Sequence, residues 1–145
     1  MFVYESSGKE VAFTRWRSLE PNNLDNEDCV EIEQWMWMWN DDNCDKAQPF
    51  VCQKCSEGWT LVGSMCLQMS TDSRTYIEAA NQCRSIGSSL AEPRSQEEND
   101  AMVEFIETTK GDWCQGCDWW IGVNDKNEEN LFVYESSGKE VAFTR

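Results

Sequence analysis

Fourteen residues, Phe2-Val3-Tyr4-Glu5-Ser6-Ser7-Gly8-Lys9-Glu10-Val11-Ala12-Phe13-Thr14-Arg15, recur without change as Phe132 to Arg145, an offset of 130 residues. A match of that length is not chance. It leaves two organisations: a tandem array of domains cut mid-domain, or one domain circularly permuted with an overlap. In either, the natural unit starts near Cys55 and ends near Lys54. Its internal order is then 55–131, the repeat, and 16–54. The repeat itself reads as a hairpin. Phe2, Tyr4, Val11 and Phe13 alternate with polar residues around a turn at Ser6-Ser7-Gly8-Lys9.

The cysteines constrain the chemistry. There are eight in 145 residues, and there is no histidine. Two CxxC pairs, Cys52–Cys55 and Cys114–Cys117, raise the question of zinc, but the gap between them is far longer than in a zinc ribbon. Disulfides in an oxidising compartment fit better, which places the protein in a secreted, extracellular setting. The formal net charge is −15. That excess argues against a nucleic-acid partner, which needs Lys and Arg, and against docking on anionic lipid. No apolar run approaches the ~20 residues of a membrane span. The N-terminus carries no secretory signal, which in a mature protein has been removed.

In chain order, Cys29-Val30-Glu31-Ile32 alternates as a strand. Trp35-Met36-Trp37-Met38-Trp39 also alternates, which if extended places Trp and Met on opposite faces. Such a stripe is expected to pack in or near the core, with one Trp left for ligand stacking as the alternative. Pro49-Phe50-Val51-Cys52 is a short strand, and Trp59–Val62 and Met65–Leu67 are two more. A helix is predicted over 74–86, capped by Asp72 or Ser73, burying Tyr76, Ala79, Ala80 and Cys83 and stopping at Gly87. Ser95-Gln96-Glu97-Glu98 is a capping box. It opens a second helix to about Lys110, with Met102, Phe105 and Ile106 inward. Trp119–Val123 is a buried strand, and Asn124–Asn130 is an acidic loop carrying Asp125, Glu128 and Glu129. In domain order this is an α+β chain with few helices.

Between positions 20 and 28, seven side chains offer oxygen: Glu20, Asn22, Asn23, Asp25, Asn26, Glu27 and Asp28. Calcium takes six to eight such oxygens in flexible geometry. Asn/Asp/Pro clusters also mark plain turns, so the rest of the chain has to decide.

Several separate pieces make that decision. Cys55-x3-Trp59 with Cys66, Cys83 in the first helix, Trp120-Ile121-Gly122, Glu20-Pro21-Asn22, Glu27-Asp28-Cys29, Trp39-Asn40-Asp41 with Cys44, and Phe50-Val51-Cys52 stand in one cyclic order. Over nearly its whole length, once reordered, the chain resembles a C-type lectin domain. Residues 1–54 resemble its C-terminal half and residues 55–145 its N-terminal half. The resemblance implies a disulfide-stabilised fold of two helices flanking small antiparallel sheets with long calcium-binding loops. It implies disulfides Cys29–Cys44, Cys52–Cys83 and Cys55–Cys66, with Cys114–Cys117 as the remaining pair. It implies a principal Ca²⁺ site of Glu20, Asn22, Glu27, Asn40 and Asp41, whose residues also bind two sugar hydroxyls. An auxiliary Ca²⁺ site would use Asn23, Glu27, Asp28, Asp125 and Glu129. In this family Glu-Pro-Asn goes with mannose, N-acetylglucosamine, fucose and glucose, Gln-Pro-Asp goes with galactose, and the Glu-Pro bond is cis.

The expected function is therefore calcium-dependent, non-catalytic glycan binding. The alternative is an extracellular structural or filament-forming repeat protein whose lectin-like domains bind calcium and little sugar. The duplicated hairpin also raises self-association, because two copies compete for one place in the sheet and a neighbouring molecule could accept one of them.

Overall fold

The computed structural model describes residues 13–22, 27–54, 59–62, 65–114, 116–128 and 131–133. The hairpin expected at 2–15 lies outside them except for its last three residues, and that at 132–145 except for its first two. In chain order the described elements are β1 (Cys29–Glu33), β2 (Met38–Asp42), β3 (Val51–Gln53), β4 (Thr60–Val62), β5 (Met65–Met69), α1 (Tyr76–Ser85), β6 (Ser89–Leu90), α2 (Gln96–Thr109), β7 (Asp118–Glu128) and β8 (Leu131–Val133). A single 3-10 turn, Asp112–Cys114, precedes β7.

Two sheets form, in the orders β2-β1-β7-β8 and β4-β5-β3-β6. Their ladders are antiparallel. The first joins strands from the two halves of the sequence: β1 from the first half lies against β7 from the second. All five residues of β1 are buried, because both of its faces are covered. The sheets are linked where Trp120 N–H donates to Pro49 O at 3.0 Å. Strand alternation sends Trp119 and Trp120 to different cores. Trp119 joins Val30, Ile32, Trp39, Met102 and Ile106. Trp120 meets Tyr76 edge-on at 5.4 Å, beside Phe50 and Leu90.

Helix α1 begins later than predicted. Its N-cap is Thr75, not Asp72 or Ser73: Thr75 Oγ1 accepts from Glu78 N–H and Glu78 Oε1 accepts from Thr75 N–H. Such a reciprocal cap contributes about 1 kcal/mol. Asp72 is instead held by the Arg74 guanidinium at 2.8 Å. The predicted face is the buried one: Tyr76, Ala79, Ala80 and Cys83. At the other end Gly87 takes φ +73°, where Gly87 N–H reaches Arg84 O and Ser88 N–H reaches Cys83 O, both at 2.9 Å. That left-handed position suits glycine.

Helix α2 starts at Ser95, whose Oγ accepts from Glu98 N–H at 3.1 Å. The return bond of the expected box goes one residue further back: Glu98 Oε1 accepts from Arg94 N–H at 2.8 Å. Met102, Phe105 and Ile106 face inward as predicted, together with Asn99, whose Oδ1 accepts the buried Trp39 Nε1–H at 2.9 Å.

Three disulfides join described residues: Cys29–Cys44, Cys52–Cys83 and Cys114–Cys117. Cys66 is also disulfide-bonded, and Cys55 lies outside the described residues. In the loop-entropy picture the Cys52–Cys83 link, across a separation of 31 residues, is worth about 3–4 kcal/mol. The Cys114–Cys117 link, across 3 residues, is worth about half that.

Two further sequence expectations are corrected. The Trp35–Trp39 run is not one strand: residues 34–37 form a turn with Trp37 at φ +55°, and β2 begins at Met38. The alternation is therefore broken. Trp39 is fully buried, Trp37 half-buried, and Trp35 is 78% exposed at the turn. Likewise Asn124–Asn130 is not a loop up to Glu128, because β7 continues that far to pair with β8 at Glu128↔Leu131.

Candidate functional site

The site is built on β2 and on the segment that runs beside it. Trp39 N–H donates to Arg15 O at 2.7 Å and Arg17 N–H to Trp39 O at 2.8 Å. The rings of Phe13 and Trp16 meet Trp39 edge-on at 5.8 and 5.7 Å. A buried indole thus anchors the approach to the Glu-Pro-Asn stretch. The chain then turns: Glu20 N–H donates to Arg17 O at 3.0 Å, and Leu19 is 92% exposed at φ +70°. A leucine in this left-handed region is strained by roughly 1 kcal/mol. Leu19→Gly is expected to raise the melting temperature by a few degrees, read by circular dichroism. A lowered melting temperature would show that Leu19 contributes contacts that outweigh the strain.

The Glu20–Pro21 bond is cis, as the resemblance implied. Glu20 and Asn22 lie together: Asn22 Nδ2 donates to Glu20 Oε1 at 3.0 Å and Asn22 N–H to Glu20 Oε2 at 3.1 Å. Asn22 N–H also lies 3.2 Å from Asp41 Oδ1. Three of the five residues predicted for the principal site are thereby brought together by direct bonds. Asn40 is next to Asp41 in sequence but faces the other side of β2, where its Nδ2 donates to Glu31 Oε1 at 3.0 Å. The ladder explains this, since Glu31 pairs with Asn40 and Val30 with Asp41. Glu27 is half-buried just before β1.

Of the residues predicted for the auxiliary site, Asn23 and Glu129 lie outside the described residues. Asp125 lies in β7, directly after Asn124, which pairs with Cys29; Asp28 directly precedes Cys29. The Asp28 and Asp125 backbones are therefore neighbours across the sheet. Asp28 Oδ1 is buried with no hydrogen-bond partner, and an orphaned carboxylate oxygen is a cation's natural ligand. Among the described residues no group of three or more His, Cys, Asp or Glu side chains is gathered closely enough to hold a metal. The donor set that does converge is mixed, with Glu20 and Asp41 carboxylates around the Asn22 amide. Such a mixed oxygen set suits calcium.

Sequence reasoning missed the charged network around this set. Arg17 bridges Glu20 Oε1 at 2.9 Å and Glu33 Oε1 at 3.2 Å. The Glu20 bond above all raises the Arg17 pKa. Burial, helped by Asp118, pushes the Glu31 carboxyl up to about 9, with the Asn40 amide working against it. Burial likewise raises Glu33, opposed by Arg17, and raises Asp118, opposed by the Gln34 N–H. Asp42, on the same rim, pairs with Lys46 at 2.8 Å. Alternating Glu31 and Glu33 in a strand was a visible signal. What it could not show is that Asp118, more than 80 positions away, lies opposite Glu33.

Two helices, two small antiparallel sheets and disulfides within and between the elements make an α+β domain of lectin type. The chain belongs to the C-type lectin domain family: the family model described as lectin C-type domain matches residues 2–54 and 72–144. The chain is similar to human C-type mannose receptor 2, 31% identical over 155 aligned positions covering 96% of the chain. It is 25% identical to the rabbit (Oryctolagus cuniculus) secretory phospholipase A2 receptor over 93% of the chain. It is 31% identical to human tetranectin over 68% of the chain and 46% of that protein. The chain spans only 10% of the length of each of the two receptors. No solved structure matches. Among the described residues no helix is long and apolar enough to cross a membrane.

Proposed function

We propose that this chain is a calcium-dependent, non-catalytic module that binds mannose-type glycans outside the cell. The observation that carries this reading is the cis Glu20-Pro21-Asn22 turn hydrogen-bonded to Asp41. Glu20, Asn22, Glu27, Asn40 and Asp41 would hold the principal ion, and Asn23, Glu27, Asp28, Asp125 and Glu129 an auxiliary one. Bound calcium would supply a positive centre on which two neighbouring sugar hydroxyls complete the coordination shell. The protein residues set which hydroxyls fit. Carboxylate oxygens of Glu20 accept from sugar O–H, and amide N–H groups of Asn22 and Asn40 donate to the hydroxyl oxygens. The bond from Asn40 Nδ2 to Glu31 holds the amide on the face of β2 opposite Asp41, so Asn40 would join the ion and the sugar by turning its side chain away from Glu31.

Retention on immobilised mannose in calcium, with release by EDTA, is the expected result. Retention that EDTA leaves unchanged would overturn the mechanism. Calcium-dependent stabilisation without sugar retention would favour the structural, matrix-type role instead.

The duplicated segment enters the same proposal. Phe13 of the first copy packs on Trp39, while Phe132 and Val133 of the second copy belong to β8. What this supports is a single permuted domain, in which the end of the first copy lies beside β2 and the start of the second forms β8 at the opposite edge of the same sheet. The chain is expected to run as a monomer in size exclusion with light scattering. Concentration-dependent dimers or longer chains would show exchange between molecules instead.

A further inference from the structure

Glu20 already holds a cation. Its side chain is only 3% exposed, and its oxygens carry three donors: Arg17 Nη2 at 2.9 Å and Asn22 Nδ2 at 3.0 Å on Oε1, and Asn22 N–H at 3.1 Å on Oε2. A carboxylate has about four lone-pair positions, so this one is nearly saturated. Calcium approaches its ligand oxygens to about 2.3–2.6 Å. An ion that close to Glu20 Oε1 would sit within a few ångströms of the guanidinium on the same oxygen. Two positive groups cannot share that oxygen without strong repulsion.

We infer that Arg17 is a resident counter-cation that competes with calcium for Glu20 and so sets the calcium concentration at which the site fills. This rests on the reading of Glu20 as a calcium ligand. The fold provides the second position the competitor needs. Arg17 Nη1 lies 3.2 Å from Glu33, whose side chain is 9% exposed. Glu33 sits on the sheet face that also carries Glu31, Asn40 and Asp118 across the β1–β2 and β1–β7 ladders. A guanidinium that leaves Glu20 therefore stays anchored on Glu33 rather than moving into water. The backbone of Arg17 does not have to move, because its N–H is held by Trp39 O and its carbonyl accepts from Glu20 N–H. Only the side chain, 38% exposed, has to turn.

An orienting role for Arg17 would have the opposite sign, since losing an orienting residue weakens calcium binding. Removing a competitor tightens it. At separations of about 5 Å and a water-like dielectric, the repulsion between a divalent ion and one guanidinium corresponds to about tenfold in affinity.

The test is calorimetric titration of the full chain with Ca²⁺, comparing wild type with Arg17→Met, Arg17→Lys and Glu33→Gln. Arg17→Met, which keeps the apolar stem, is expected to bind calcium about 5- to 20-fold more tightly. Arg17→Lys is expected to stay within about threefold of wild type, because the charge remains. Glu33→Gln is expected to weaken binding severalfold, because the guanidinium is then left to Glu20. Melting gives a second readout: Arg17→Met lowers the melting temperature in EDTA, where Glu20 and Glu33 lose their cation, and recovers in calcium. Calcium binding by Arg17→Met that is unchanged or weaker overturns this inference alone. A wild-type chain that takes up no calcium overturns the metal site and this inference with it.

Discussion

Exchanging the amide and the acid of the Glu20-Pro21-Asn22 turn, by Glu20→Gln together with Asn22→Asp, is expected to reduce retention on immobilised mannose at least tenfold and to create retention on galactose. The turn tolerates the exchange because its internal bond is reciprocal. Asn22 Nδ2 now donates to Glu20 Oε1, and in the variant a Gln amide at 20 can donate to an Asp carboxylate at 22. The formal charge of the pair is conserved, so calcium ligation survives. What reverses is the direction of hydrogen bonding offered to the sugar, acceptor for donor at each position. A site that rewards a hydroxyl pair by directional bonds penalises the reversed pair, because a polar group is left unpaired. Arg17 loses a carboxylate partner at position 20 and keeps Glu33. Affinity chromatography on both sugars reads the result directly. Mannose retention that the double variant leaves intact would show that residues outside the turn read the sugar.

The second large effect is in stability against pH, measured in EDTA so that no calcium contributes. Glu31 is 1% exposed and its carboxyl is pushed up to about 9 from an ordinary 4.5. Between those values the folded chain holds a proton that the unfolded chain has lost. More protons in the folded state mean that stability falls as pH rises. The contribution is fully present below about 4.5 and is lost progressively toward 9. Glu33 and Asp118, also raised by burial, act in the same direction. Melting temperature in EDTA is therefore expected to fall between pH 5 and pH 8.5, by an amount corresponding to about 2–4 kcal/mol. Glu31→Gln keeps a neutral group that can accept from Asn40 Nδ2, and is expected to flatten that slope and raise stability at pH 8. A Glu31→Gln profile parallel to wild type would show that Glu31 is ionised in the folded protein. With calcium present the dependence reverses at low pH, because the ligand carboxylates must stay ionised and acid releases the ion. Opposite slopes with and without calcium would separate the buried acids from the metal ligands.

Local rules read well from the chain alone. The buried faces of α1 and α2, β1 and the Gly87 stop all follow from spacing and from glycine's backbone freedom, and the structure has them where expected. Errors arose where one local signal competed with another. Asp72 is as good an N-cap as Thr75 by type, but only Thr75 has a glutamate three residues on and only Asp72 has Arg74 for a partner. The Trp35–Trp39 alternation suggested one strand, yet two antiparallel strands need a turn between them, and residues 34–37 supply it. Asn124–Asn130 looked like a loop by composition, and pairing with β8 carried the strand through Glu128.

By itself the sequence determined the family resemblance, both helices, most strands and the oxygen-bearing residues, because these depend on residue type and spacing along the chain; the cysteine pairings followed only from the resemblance. The tertiary structure decided what those oxygens face. Strand alternation turned Asn40 to Glu31 and Asp41 to the Glu-Pro-Asn turn, although the two are adjacent in sequence. The ladder between β1 and β7 set Asp118 beside Glu33. Folding placed Arg17 between Glu20 and Glu33, two acids 13 positions apart. Charge interactions depend on distance through space and on burial, and neither is written in the order of residues.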